Sequence, residues 1–170
     1  GLSGLDSNSN VMLKIRPIKI AGYWGYVSTD LVVDAFQLAK HKFHRASAIS
    51  CSFGIWEVSS ALAWELQKCH DYCIPVAWAG YDGFLLYPEY LPTVLAGGAT
   101  DRNDVTPYWS PVDDSLDLVA PGEEMWTFDL TGTDGVIPAY SDCGGDYDYI
   151  CGLFGGTSAS APLVGAAAAK

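Results

Sequence analysis

Short apolar runs alternating with amphipathic stretches constrain this chain more than any other feature. Ala46 to Phe53 and Ile74 to Ala79 are brief, mostly apolar runs, and each reads as a strand covered on both faces. Between them, Ser59 to Cys69 reads as an amphipathic helix with Ala61, Leu62, Trp64 and Leu66 as its apolar positions. An earlier helix is expected from near Asp30, capped by Ser28 or Thr29, with Leu31, Val32, Ala35, Phe36 and Ala39 at helical spacing. Lys40, Lys42 and Arg45 follow, where positive charge suits a helix carboxyl end. Further strands are expected at Val11 to Arg16, Thr93 to Gly97 and Leu116 to Ala120, and a small-residue helix from Ser158 to Lys170. Strands alternating with helices at these lengths imply βαβ units. The expected fold is therefore α/β, a doubly wound, mostly parallel sheet with helices on both faces. No repeat and no linker divides residues 1–170, which read as one unit. Asp101 to Asp114 is polar and turn-rich, and residues 129–150 form a Gly/Asp/Tyr segment with little periodicity.

Composition narrows the partners. The net charge of −11 repels phosphates, which argues against nucleic acid. No run of about 18 apolar residues exists, so no membrane span is expected. Of five cysteines, Cys143 and Cys151 flank a polar, Gly-rich loop suited to a disulfide, whereas a Cys69–Cys73 bridge would require the helix end to open. Cys51 falls in an apolar run and reads as an inert thiol. This usage favours an oxidising compartment, hence a secreted or extracellular protein. The cysteine and histidine spacings match no metal site.

The chemistry-bearing segment is Gly155-Gly156-Thr157-Ser158-Ala159-Ser160-Ala161-Pro162. Glycines permit close approach of a substrate to the backbone. A helix opening at Ser158 offers unpaired N–H groups and partial positive charge. A serine so placed can attack a carbonyl while its own N–H faces the developing oxyanion. Pro162 is expected within the first turn, where its missing N–H costs little. The string resembles the serine motif of the subtilase family. Four more segments resemble that family in its own order: Ala48 to Gly54, the strand lining the substrate cleft; Ile74 to Gly80, the strand entering the oxyanion loop; Leu86 to Gly98, the Tyr-Pro stretch; and Leu116 to Glu123, the Ala-Pro-Gly stretch.

The resemblance implies a serine endopeptidase domain, of which this chain is a part, with the sheet incomplete at both ends. Ser158 would be the nucleophile. Ser52, Phe53 and Gly54 would pair with an extended peptide as a strand, and Ala79 and Gly80 would wall the first specificity pocket, with Asp82 favouring a basic side chain there. A hydroxyl nucleophile needs a base and a carboxylate to orient it. In the family these precede the serine, and the His-Gly-Thr motif is absent here. His41, His44 and His70 read as surface or helix-end residues and Asp6 lies in a loop, so none is assigned to that work. The missing Asp and His would lie upstream, on an N-terminal part of the same domain, the natural partner of this chain besides its peptide or protein substrate. Tyr81 stands where the family places its oxyanion Asn. Removing one such donor costs roughly 10²–10³ in turnover. This substitution supports an alternative, a pseudo-peptidase that binds extended peptides in the same cleft. A third reading is an interaction domain using Tyr140, Tyr147 and Tyr149. The sequence identifies no definite cofactor, and calcium is the candidate that the resemblance implies. Family members often bind calcium, for which Asp142, Asp146 and Asp148, or carbonyls around Leu85 and Tyr87, offer oxygens.

Overall fold

The computed structural model describes residues 14–22, 27–42, 45–80, 83–128 and 149–170, without the side chains of residues 126, 128 and 149–153. Helix α1 spans Thr29–Lys40, and Ser28 caps it, its hydroxyl accepting the Leu31 N–H at 3.3 Å. Strand β1 (Ile49–Cys51) leads through a loop to helix α2 (Ser60–Asp71), which is capped in the same way by Ser59 accepting from Leu62 at 3.2 Å. Strands β2 (Val76–Ala79), β3 (Leu95–Thr100) and β4 (Leu118–Pro121) follow. A hairpin of β5 (Met125–Phe128) and β6 (Tyr149–Phe154) then leads into helix α3 (Thr157–Ala168).

Strands β1 to β4 form a parallel sheet in sequence order, with Ile49 opposite Val76, Ala77 opposite Leu95 and Gly97 opposite Leu118. The α/β class and parallel pairing read from the sequence are as found. Strands β1 and β2 are shorter than the apolar runs that hold them, β2 at its amino end alone, whereas β3 runs to Thr100, past the expected end at Gly97, and β4 is displaced to Leu118–Pro121. Residues 14–16, expected as strand, carry no regular structure, and the rest of that expected strand lies outside the described residues. The antiparallel hairpin was not anticipated.

Alternation along the strands sorts the two faces. Cys51, Val76 and Trp78 join Val32, Phe36, Leu62, Leu66 and Cys69 in the core beneath α1 and α2. Ser50 and Ala77 face α3, where Gly165 lies so close that a Cβ there would stand 3.3 Å from Ser50 Cβ. Small residues on both partners let this helix pack tightly on the sheet. In α2, Leu62 and Leu66 are fully buried, but Ala61 is exposed and Trp64 is largely so. Their spacing places them on the outer side of α2. There Lys68 sits over the Trp64 ring, 4.8 Å from its centroid.

Cys51, Cys69 and Cys73 are free thiols. Burial pushes the Cys69 thiol up to about 11 and raises Cys51 further. Of these three, only Cys73 is exposed, so it alone should alkylate rapidly in the native protein, as read by peptide mapping after iodoacetamide. The raised thiols also set an alkaline limit. Above the ordinary value of 9.0 the unfolded chain loses thiol protons that the fold retains. Stability should hold below that pH and decline as pH rises towards about 11, a trend that urea melts would show.

Candidate active site

The carboxyl ends of the parallel strands converge on the start of α3. Ser52 follows β1, Gly80 follows β2, Gly122 follows β4, and Thr157 and Ser158 open α3. Ligand sites of parallel sheets gather at this end. Gly156, the N-cap, has φ +93°, a conformation that glycine adopts without strain, and no side chain caps the helix. The first N–H groups of α3 therefore point out of the helix without intrahelical acceptors, beside the exposed Ser158.

The residues just before Ser158 are fixed to the strand ends. Buried Thr157 donates its hydroxyl to the Gly80 carbonyl. Gly156 N–H donates to Gly122 O at 2.7 Å, and Gly80 N–H to Gly97 O at 2.9 Å. The Ser52 hydroxyl donates to Ser158 O at 3.1 Å, and buried Ser160 donates back to Thr157 O at 2.9 Å. Close approach explains the glycines. A Cβ on Gly122 would stand 2.6 Å from Ala99 Cβ and 2.8 Å from Gly156 O, and one on Gly80 would stand 2.5 Å from Pro111 Cγ. Four separate sequence segments thus meet at one point, and Ser158 is the exposed side of it.

Supporting contacts fix the strand ends. Asp117 accepts the Ala96 N–H at 2.9 Å, and buried Ser110 accepts that of Ala99 at 2.8 Å. Asp117 belongs to the Leu116 to Glu123 stretch that resembles the family, but its role as a backbone acceptor was not read from it, and Ser110 carried no signal of its own within the polar, turn-rich Asp101 to Asp114 segment.

The substrate-binding candidates divide. Ser52 and Gly54 are exposed, and Ala79 and Gly80 are buried at the sheet end. Phe53 turns its ring inward against Trp78, centroids 4.9 Å apart, and its carbonyl accepts the Trp78 indole N–H at 2.6 Å. Its side chain is thus committed to the core. Tyr81 and Asp82 lie outside the described residues, as do Asp6, His44, Tyr140, Asp142, Cys143, Asp146, Tyr147 and Asp148. The backbone of Tyr149 and Cys151 lies in β6. His41 caps the carboxyl end of α1, and His70 lies in the last turn of α2. Those ends deliver the chain to the amino ends of β1 and β2, so both histidines stand at the end of the sheet opposite Ser158. Pro162 differs from expectation. It is the sixth residue of α3, one turn beyond the uncapped start.

Among the described residues no three His, Cys, Asp or Glu side chains cluster as a metal site. No described helix is long and apolar enough to cross a membrane.

A family model described as the subtilase family matches residues 13–170. Among solved structures, the prenylagaramide maturation protease PagA is similar at 27% identity and a TM-score of 0.64, over 85% of this chain and 49% of that one. A mutant of the protease domain of PatA is similar at 24% identity and a TM-score of 0.62, over 84% of this chain and 49% of that one, a likeness of fold. The chain thus spans about half the length of both. No curated protein matches it closely.

Proposed function

Since this chain belongs to the subtilase family, we propose that it forms the nucleophile-bearing part of a serine endopeptidase, with the base and its orienting carboxylate supplied by an upstream part of the same protein. One observation carries the reading: Ser158 is exposed at the uncapped start of α3, where the ends of β1, β2 and β4 are tied to it. The coverage of about half of PagA, a protease, supports a catalytic unit larger than this chain.

In this reading Ser158 Oγ attacks the scissile carbonyl carbon while an upstream histidine takes its proton. The carbonyl oxygen gains negative charge and is met by the Ser158 N–H and the positive end of α3. Collapse breaks the C–N bond, the histidine returns its proton to the leaving amine, and an ester remains on Ser158. Water, deprotonated by the same histidine, then attacks the ester, the C–Oγ bond breaks, and the histidine returns that proton to Ser158 Oγ as the acid leaves. The backbone of Ser52 to Gly54 pairs with the extended substrate. Ala79 and Gly80 wall the pocket for the side chain preceding the cleaved bond, and Asp82 favours a basic one. An oxidising, extracellular setting finds its support in the Cys143 and Cys151 spacing, whereas the free Cys51, Cys69 and Cys73 lend it none.

The test is pre-steady-state hydrolysis of chromogenic peptide esters by the complete protein. A burst of product stoichiometric with enzyme is expected, with Lys/Arg esters ahead of Leu/Phe esters. Burst with apolar preference removes the role of Asp82 alone. Peptide binding with neither burst nor turnover favours the pseudo-peptidase reading that Tyr81 motivates.

A further inference from the structure

Each N–H in an α-helix reaches the carbonyl four residues back, so the acceptor that loses its helical donor to Pro162 is the carbonyl of Ser158. That carbonyl is met instead from outside the helix, by the Ser52 hydroxyl at 3.1 Å. We propose that Ser52 is a positioning residue: its hydroxyl replaces the N–H that Pro162 lacks and anchors the peptide of Ser158 to the end of β1.

The other ties at this turn act on neighbours. Thr157 is held through Gly80, Gly156 through Gly122, and Ser160 bonds back to Thr157. The Ser52 bond reaches the backbone of Ser158 itself from outside the helix. An ordinary residue at position 162 would satisfy Ser158 O within α3, and the helix would then meet β1 without this link. Proline frees the acceptor, and the sheet takes it. Because both the serine hydroxyl and its N–H hang on this peptide, a shift there displaces nucleophile and oxyanion donor together. This work is separate from any strand pairing by the Ser52 backbone.

The positioning role rests on Ser158 being the nucleophile, whereas the coupling of Ser52 to Pro162 does not. In the complete protein, Ser52→Ala is expected to lower the folding equilibrium constant roughly fivefold, the scale of one neutral hydrogen bond. In a Pro162→Ala background the same change should cost little, because the restored N–H takes over Ser158 O. Ser52→Thr, which keeps the hydroxyl, should keep the wild-type folding equilibrium. Amide hydrogen exchange should quicken in Ser158 to Ala161 in Ser52→Ala and return in the double variant. An equal loss in both backgrounds, or exchange rising evenly along the chain, overturns the coupling. Capture of Ser158 by a serine-directed phosphonate should slow in Ser52→Ala and recover in the double variant. Capture indifferent to Ser52→Ala overturns the positioning role. Absence of capture in the wild type overturns the peptidase reading and the positioning role with it, while the folding cycle still decides the coupling.

Discussion

Ser158→Ala, made in the complete protein, is expected to lower turnover of a peptide substrate by about 10⁶, the scale on which a catalytic serine unit fails when its nucleophile is removed. KM should stay close to the wild-type value, because the hydroxyl bonds to the substrate carbon only after binding. The fold should be undisturbed, since Ser158 is exposed and it is its carbonyl, not its hydroxyl, that Ser52 engages. Thermal melts alongside the kinetics separate the two effects. Retention of turnover within about tenfold, a barrier change of only about 1.4 kcal/mol, would move the chemistry to another residue.

The largest expected loss of stability comes from Trp78→Ala. Trp78 is fully buried in β2, its ring stacked on Phe36 with centroids 6.1 Å apart and edge-on to Phe53. Removing it empties the space between the sheet and α1, at about 3–5 kcal/mol for a truncation of this kind. It also leaves the Phe53 carbonyl without its indole donor. Domains of this size are held by only about 5–15 kcal/mol, so guanidinium melts should show a large fall in midpoint. Trp78→Phe keeps most of the volume and loses the hydrogen bond, and should cost about 1–2 kcal/mol. A small effect for Trp78→Ala would show that the α1 and α2 layer does not depend on this ring.

The parallel sheet was legible because the runs that hold β1 and β2 are short and mostly apolar and α2 lies between them. Helix caps are local, so the choice of Ser28 or Thr29 for α1 could be made from sequence alone, and Ser28 is the one that caps; Ser59, expected as the first residue of α2, proves to be its cap. What escaped was set by distant parts of the chain. Trp64 has core chemistry but faces outward, because Leu62 and Leu66, about one turn apart, set the buried face of α2 and Trp64, two residues from each, falls on the opposite side. The hairpin of β5 and β6 joins residues more than twenty positions apart with no alternating pattern in β6 to announce it. Pro162 was misplaced because the helix begins at Thr157 and runs past it, held by a contact from Ser52 that no local rule contains. The site itself was half legible. The Gly-Thr-Ser string marks the proposed nucleophile, but the need for glycine at 80 and 122 comes from Pro111, Ala99 and Gly156, which only the fold brings near.

The central claim is that Ser158 is a nucleophile held ready at the start of α3. Incubating the complete protein with a serine-directed phosphonate and mapping the adduct by mass spectrometry tests it most directly. The account predicts one adduct, on the peptide carrying Ser158, slowed as pH falls through the titration of the histidine base and absent in Ser158→Ala. An adduct on another serine, or none on protein that binds peptides, would contradict it.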